Sequence, residues 1–133
     1  MAAVHQGQAL PNVVTTLEEK HLLGFHLTAW LAAAAGPRCL YFYGPHRSGA
    51  KQIGRDIKQA MLDQVVLVDL HPVDEEDEPY VNAHPSHVII KSDVAPEDNP
   101  KLGGSILLDH IVRFDEVHED FIYEAIEIIV FED

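Results

Sequence analysis

The sequence predicts an α/β domain built on a mainly parallel, four-stranded sheet with flanking helices. Three observations lead there. Short apolar runs at Cys39–Tyr43, Val65–Val68, His87–Ile90 and within 106–114 have the length and composition of buried strands. Segments 16–35 and 49–62 carry apolar residues at helical spacing. Gly, Pro, Asp and Asn gather at the joints between them. Strands alternating with helices favour a parallel sheet, because each helix carries the chain back to the end where the next strand begins.

Residues 1–14 read as a flexible leader, and 15–133 as a single domain. Thr16 and Glu19 form a capping-box pattern, with Thr16 as N-cap and Glu19 at N3. A helix should follow to about Ala35, burying Leu23, Leu27, Trp30 and Ala34, until Gly36 and Pro37 stop it. The aromatic strand Cys39–Tyr43 comes next and ends at Gly44 and Pro45. A second helix is expected from about Gly49 to Leu62. Ile53, Ile57 and Met61 would face the core, while Lys51, Arg55 and Lys58 would face away. Val65–Val68 is the second strand, closed by Asp69, and an acidic, proline-containing loop covers 70–86. His87–Ile90 is the third strand. After a Pro- and Gly-containing loop, the fourth is best placed at His110–Phe114. Residues 119–132 fit a helix to about Ile129, although 126–131 alone would suit a strand.

Composition narrows the function. The 133 residues include 22 acids and 9 bases, a formal charge of −13. That balance argues against direct nucleic-acid binding, which neutralises phosphates with Lys and Arg. It suits solubility, a protein partner with a basic surface, or imitation of nucleic acid. No apolar run is long enough for a membrane helix, and Met1 to Pro11 lacks the pattern of a secretory signal. Cys39, the only cysteine, is expected to be a buried thiol in a reducing compartment, which points to a cytoplasmic or nuclear protein.

The bases are not spread evenly: Arg38, Arg47, Lys51, Arg55 and Lys58 crowd around one turn. There, a strand runs into a glycine turn that opens a helix, the setting in which backbone N–H groups cradle phosphates. Gly44 and Gly49 have the spacing of the motif G-x-x-x-x-G-K-[ST]. Ala50 occupies the place of the phosphate-binding lysine, and Lys51 that of the magnesium-binding hydroxyl. The expected fold is therefore P-loop-NTPase-like with a degenerate motif. Gly44, Arg47, Ser48, Gly49 and Lys51 are its candidate phosphate-binding residues, and ATP or another nucleotide is the candidate cofactor. Lysine and hydroxyl stabilise the transferring phosphoryl group and its metal, so weak or no hydrolysis is expected.

Tyr41 to Lys51 resembles the strand-[YF]-G-P-x-x-x-G-K-S-helix segment of the ATPase domain of viral superfamily-3 helicases and related replication-initiator (Rep) proteins. Val88 to Asp93, Val94 to Pro96 and Ile111 to Phe114 are similar to segments further along that domain. The resemblance implies that Asp93 stands at a polar sensor position held by Asn in the family. It implies that Arg113 is the basic residue near the last strand. It also implies a viral or mobile-element replication context. Asp69, directly after an apolar strand, reads either as the Walker B acid or as a polar cap on a turn.

Two other groupings carry chemistry. His71, His84 and His87 share a loop region with Asp74 to Glu78, but the spacing is not diagnostic and no metal site is expected. The acidic C-terminal third, including Asp115, Glu116, Glu119 and Asp120, is the candidate partner-binding face. The leading reading is a degenerate P-loop-like domain with a binding or regulatory role. The alternatives are an acidic interaction or inhibitor protein docking on a basic or nucleic-acid-binding surface, and a nucleotide enzyme that uses Lys51 in a shifted register.

Overall fold

A computed structural model describes residues 10–71, 86–102 and 107–121. The order is β1 (Val13–Val14), α1 (Leu17–Ala32), β2 (Cys39–Tyr43), α2 (Ala50–Met61), β3 (Val65–Asp69), β4 (His87–Ser92) and β5 (His110–Phe114). The strands form one sheet in the order β1-β5-β2-β4-β3, and every pairing is parallel. The expected α/β class holds, with five strands rather than four. The added strand lies in the segment read as leader. Val13 and Val14 pair with Arg113 and Phe114 at the sheet edge. Two residues are too short to show a period, so this strand left no pattern in the sequence.

Connectivity fixes the layers. The steps from β1 to β2 and from β2 to β3 run in the same direction across the sheet. Parallel connections are right-handed, so α1 and α2 fall on one face. They pack there on Leu40, Phe42, Val65, Ile89, Val112 and Phe114. The next two steps, β3 to β4 and β4 to β5, run backwards across the sheet. Leu70, Leu102 and Leu108 cover Cys39, Tyr41, Val88 and Ile90 on the other face. A sheet covered on both faces explains why its strands read as continuous apolar runs.

The Thr16 capping box forms as expected: Glu19 N–H donates to Thr16 Oγ1 at 3.1 Å, and Thr16 N–H donates to Glu19 Oε1 at 3.0 Å. The helix ends at Ala32, three residues early. The Ala34 N–H turns back to Leu31 O at 3.1 Å, and this tightening ends the helix before Gly36 is reached. Its buried stripe is Lys20, Leu23, Leu27 and Leu31, not one through Trp30 and Ala34. Burying each such leucine contributes about 1.5–3 kcal/mol. In α2 the expected polar face fails at one position: Lys51 is buried. Lys58 stays on the rim, where its ammonium caps Leu62 O at 3.0 Å and Val65 O at 2.7 Å.

Residues 119–121 form a single 3-10 turn at the start of the segment expected to be helical. The rest of that segment lies outside the described residues, as do residues 1–9 of the leader. Cys39 is buried as expected, and burial together with the Asp109 carboxylate pushes its thiol up to about 11. Among the described residues, no helix is long and apolar enough to cross a membrane. Thr16→Ala should cost about 1 kcal/mol of unfolding free energy in urea titrations, with an unchanged slope, because it removes one half of the cap.

Candidate functional site

The carboxyl ends of the central strands meet in a cleft of about 570 Å³. Its lining includes Tyr43, Gly44 and His46 after β2, His71 after β3, Lys91 and Asp93 at the end of β4, and Arg113 and Asp115 at the end of β5. Its place follows from the topology. The chain leaves β2 toward the helical face and leaves the adjacent β4 toward the opposite face. Where loops diverge in this way over an open α/β sheet, ligands bind.

The two glycines of the β2–α2 loop are there for different reasons. A Cβ on Gly44 would lie 2.3 Å from the Phe114 carbonyl oxygen, so the loop can leave the sheet beside β5 only without a side chain. Gly49 is the N-cap of α2 at φ +100°, a left-handed conformation that glycine adopts at little cost. Arg47 is also left-handed at φ +65°, with Ser48 between them on the ordinary side. Alternation of this kind gathers main-chain N–H groups into an anion-sized concavity. Ser48 N–H is already spent on Pro45 O at 3.1 Å. Ser48 is fully buried, and its Oγ has no hydrogen-bond partner.

Arg47 to Gly49 do not line the cleft. The segment after β5 lies against them: His118 N–H donates to Arg47 O at 3.3 Å, and the Phe121 ring packs on Gly49. The same segment is tied to α1. Lys20 Nζ donates to Glu116 O at 2.6 Å, and His118 Nε2 lies 3.1 Å from Thr15 O.

Lys51 turns inward. It is 1% exposed, and its ammonium donates to Asp69 Oδ2 at 3.3 Å, an acid whose side chain is 5% exposed. The other oxygen, Asp69 Oδ1, lies 2.6 Å from His71 Nε2, a short contact without hydrogen-bond alignment. His71 Nδ1 lies 3.3 Å from Asp93 Oδ1. Only an imidazolium can donate from both ring nitrogens. Accordingly, the close Asp69 contact raises the His71 pKa above its ordinary value, against the opposing effect of burial. Burial pushes Asp69 up, but His71, Lys51 and Lys91 together outweigh it and hold the carboxyl below its ordinary value.

The site residues read from the sequence thus divide. Gly44, Asp93, Arg113 and Asp115 line the cleft, Asp69 stands behind its lining residue His71, and Lys51 stands behind Asp69. Arg113 is held by Asp115 through bonds of 2.7 and 3.2 Å, so Asp115 serves the cleft as much as any partner face. Glu116, Glu119 and Asp120 are exposed and lie outside the cleft lining. Asp93 is half-exposed, whereas the buried asparagine near the strand ends is Asn99. The Asn99 amide nitrogen reaches Tyr41 Oη and Leu70 O, both at 3.0 Å. His87 is structural, since its Nδ1 accepts from Arg38 N–H at 3.0 Å. No metal-holding group of His, Cys, Asp and Glu occurs among the described residues, and His84 and Asp74 to Glu78 lie outside them.

Sequence reasoning missed Lys91. It is 4% exposed and lines the cleft. The signal was available: strand alternation places residue 91 on the same face as Ile89, so a charge there is buried by pattern alone. Comparison with known proteins finds no matching family model, no matching curated protein and no matching solved structure.

Asp69→Ala should cost about 3–5 kcal/mol, because it leaves the Lys51 ammonium buried without its carboxylate. The pH dependence has a definite sign. His71 is raised above its ordinary 6.5, so its contribution is full below 6.5 and is lost as pH rises through the higher folded value. The stability difference between wild type and His71→Gln, followed by urea unfolding against pH, should therefore shrink on the alkaline side of 6.5.

Proposed function

We propose that this chain is a P-loop-like domain that binds a phosphate-bearing ligand and has a binding or regulatory role, with weak or no hydrolysis. One observation carries the reading: the side chain at the position of the metal-binding hydroxyl is a lysine, and its ammonium sits on the Asp69 carboxylate. A cation held against the acid repels a divalent metal from the place where a P-loop would bind one, and phosphoryl transfer depends on that metal. The binding half of the machinery has separate support. The loop alternates in hand, α2 begins at it without a side-chain cap, and the strand-end cleft opens next to it. The role belongs to the viral or mobile-element replication setting that the resemblance implies.

A second reading rests on the surface. Glu116, Glu119 and Asp120 are exposed on one short segment and could dock a basic protein surface. It predicts a salt-sensitive complex and no response to nucleotides.

Thermal unfolding with millimolar ADP or ATP, with and without Mg²⁺, separates the readings. Ligand at ten times its Kd should add about 1.4 kcal/mol, a Tm rise of about 3–6 °C. The rise should survive EDTA, and ATP turnover should stay at background. No Tm response to either nucleotide removes the phosphate-binding reading. Magnesium-dependent turnover that Lys51→Ala abolishes would instead make the chain a nucleotide enzyme working in a shifted register.

A further inference from the structure

Lys91 is a lysine inside a strand, between Ile90 and Ser92, and it carries its charge into a nearly closed environment. Alternation puts it on the helical face with Ile89, and the β3–β4 register sets it beside Asp69. A buried ammonium is costly without a partner. The other cations of the cleft region have theirs: Lys51 is on Asp69, His71 lies between Asp69 and Asp93, and Arg113 is clamped by Asp115. The Lys91 charge acts on Asp69, its register neighbour, and no ion pair of Lys91 occurs among the described residues. Yet it lines the cleft that Gly44 and His46 also line. Asp69 is already shared by Lys51 and His71, so Lys91 has only part of one carboxylate as counter-charge. An anion bound in the cleft would give Lys91 a partner of its own.

We propose that Lys91 is the phosphate-contacting cation of the site. From β4 it would take the role that a P-loop gives to the lysine after its second glycine, where this chain has Ala50. The inference rests on the phosphate-binding reading above. The ligand class is a diphosphate, either free or as part of a nucleoside diphosphate. A lysine supplied from a strand rather than from the glycine loop is chemically sufficient, because charge neutralisation depends on where the ammonium sits and not on which element carries it.

Calorimetric titration of the full chain with pyrophosphate and, separately, with ADP tests this. Lys91→Met should weaken both by about 10- to 100-fold. Its Tm without ligand should rise by about 3–6 °C, since a buried charge with only a shared counter-ion is replaced by an apolar side chain of similar volume. Lys91→Arg should retain part of the affinity. Equal affinity for the two probes supports the proposal with a free diphosphate as ligand. Tighter ADP binding supports it with a nucleotide. Wild-type binding that Lys91→Met leaves intact overturns the assignment of Lys91 alone. A lower Tm for Lys91→Met, with no affinity retained by Lys91→Arg, makes Lys91 structural and also overturns it. No wild-type binding of either probe overturns this proposal and the phosphate-binding reading together.

Discussion

An ammonium group that is 1% exposed must have a counter-charge, and Lys51 finds it in Asp69 at 3.3 Å. Much of the upper edge of this domain depends on that pair. It joins the first turn of α2 to the last residue of β3, across an intervening strand. With both ends held, the β2–α2 loop must make its turn in six residues, and it does so with left-handed conformations at Arg47 and Gly49. The pair also determines the surroundings of His71, whose ring lies between Asp69 and Asp93 and favours the charged form. Apolar side chains at both positions could stabilise the fold as well or better.

The sheet order brings these groups together without any local motif. Two forward steps and two backward steps across a parallel sheet leave loops on opposite faces above adjacent strands, and a cleft opens between them. On the other face, Asn99 ties the ends of β3 and β4 to Tyr41 of β2, so the floor of the cleft is held by hydrogen bonds as well as by packing. The segment after β5 holds the glycine loop from above through His118 and Phe121 and reaches α1 through Lys20. Loop, helix and sheet thus bear on one another around a single charged pocket. The pocket sets Lys91 and Arg113 beside Asp93 and Asp115, with the Lys51–Asp69 pair behind them.

Elements with a strong period were legible. Cys39–Tyr43 and His110–Phe114 have the expected ends, and Thr16 caps the helix it was expected to cap. Strand β1 was not legible, because two residues carry no period and its pairing with β5 joins positions about a hundred residues apart. The end of α1 was misplaced because Gly36 and Pro37 look like the stop signal, while the turn at Ala34 precedes them.

For the site, the residue types spoke clearly, but their orientations did not. Spacing alone marked Gly44 and Gly49 as a candidate phosphate-loop pair, with Lys51 one place beyond the motif's lysine. Asp69 was marked by its place after an apolar strand, and Asp93 and Arg113 by the family resemblance; all three lie around the strand ends. Period and local chemistry decide what a residue is and which element it enters, and a chain contains that information within a few turns of itself. Whether Lys51 points to solvent or to Asp69, and whether Lys91 is an oddity of a strand or a cation at a cleft, depends on long-range placement. Those choices were made by the parallel pairing of β3 with β4 and by the packing of α2 above them, because burial turns an ordinary lysine into one that must find an anion.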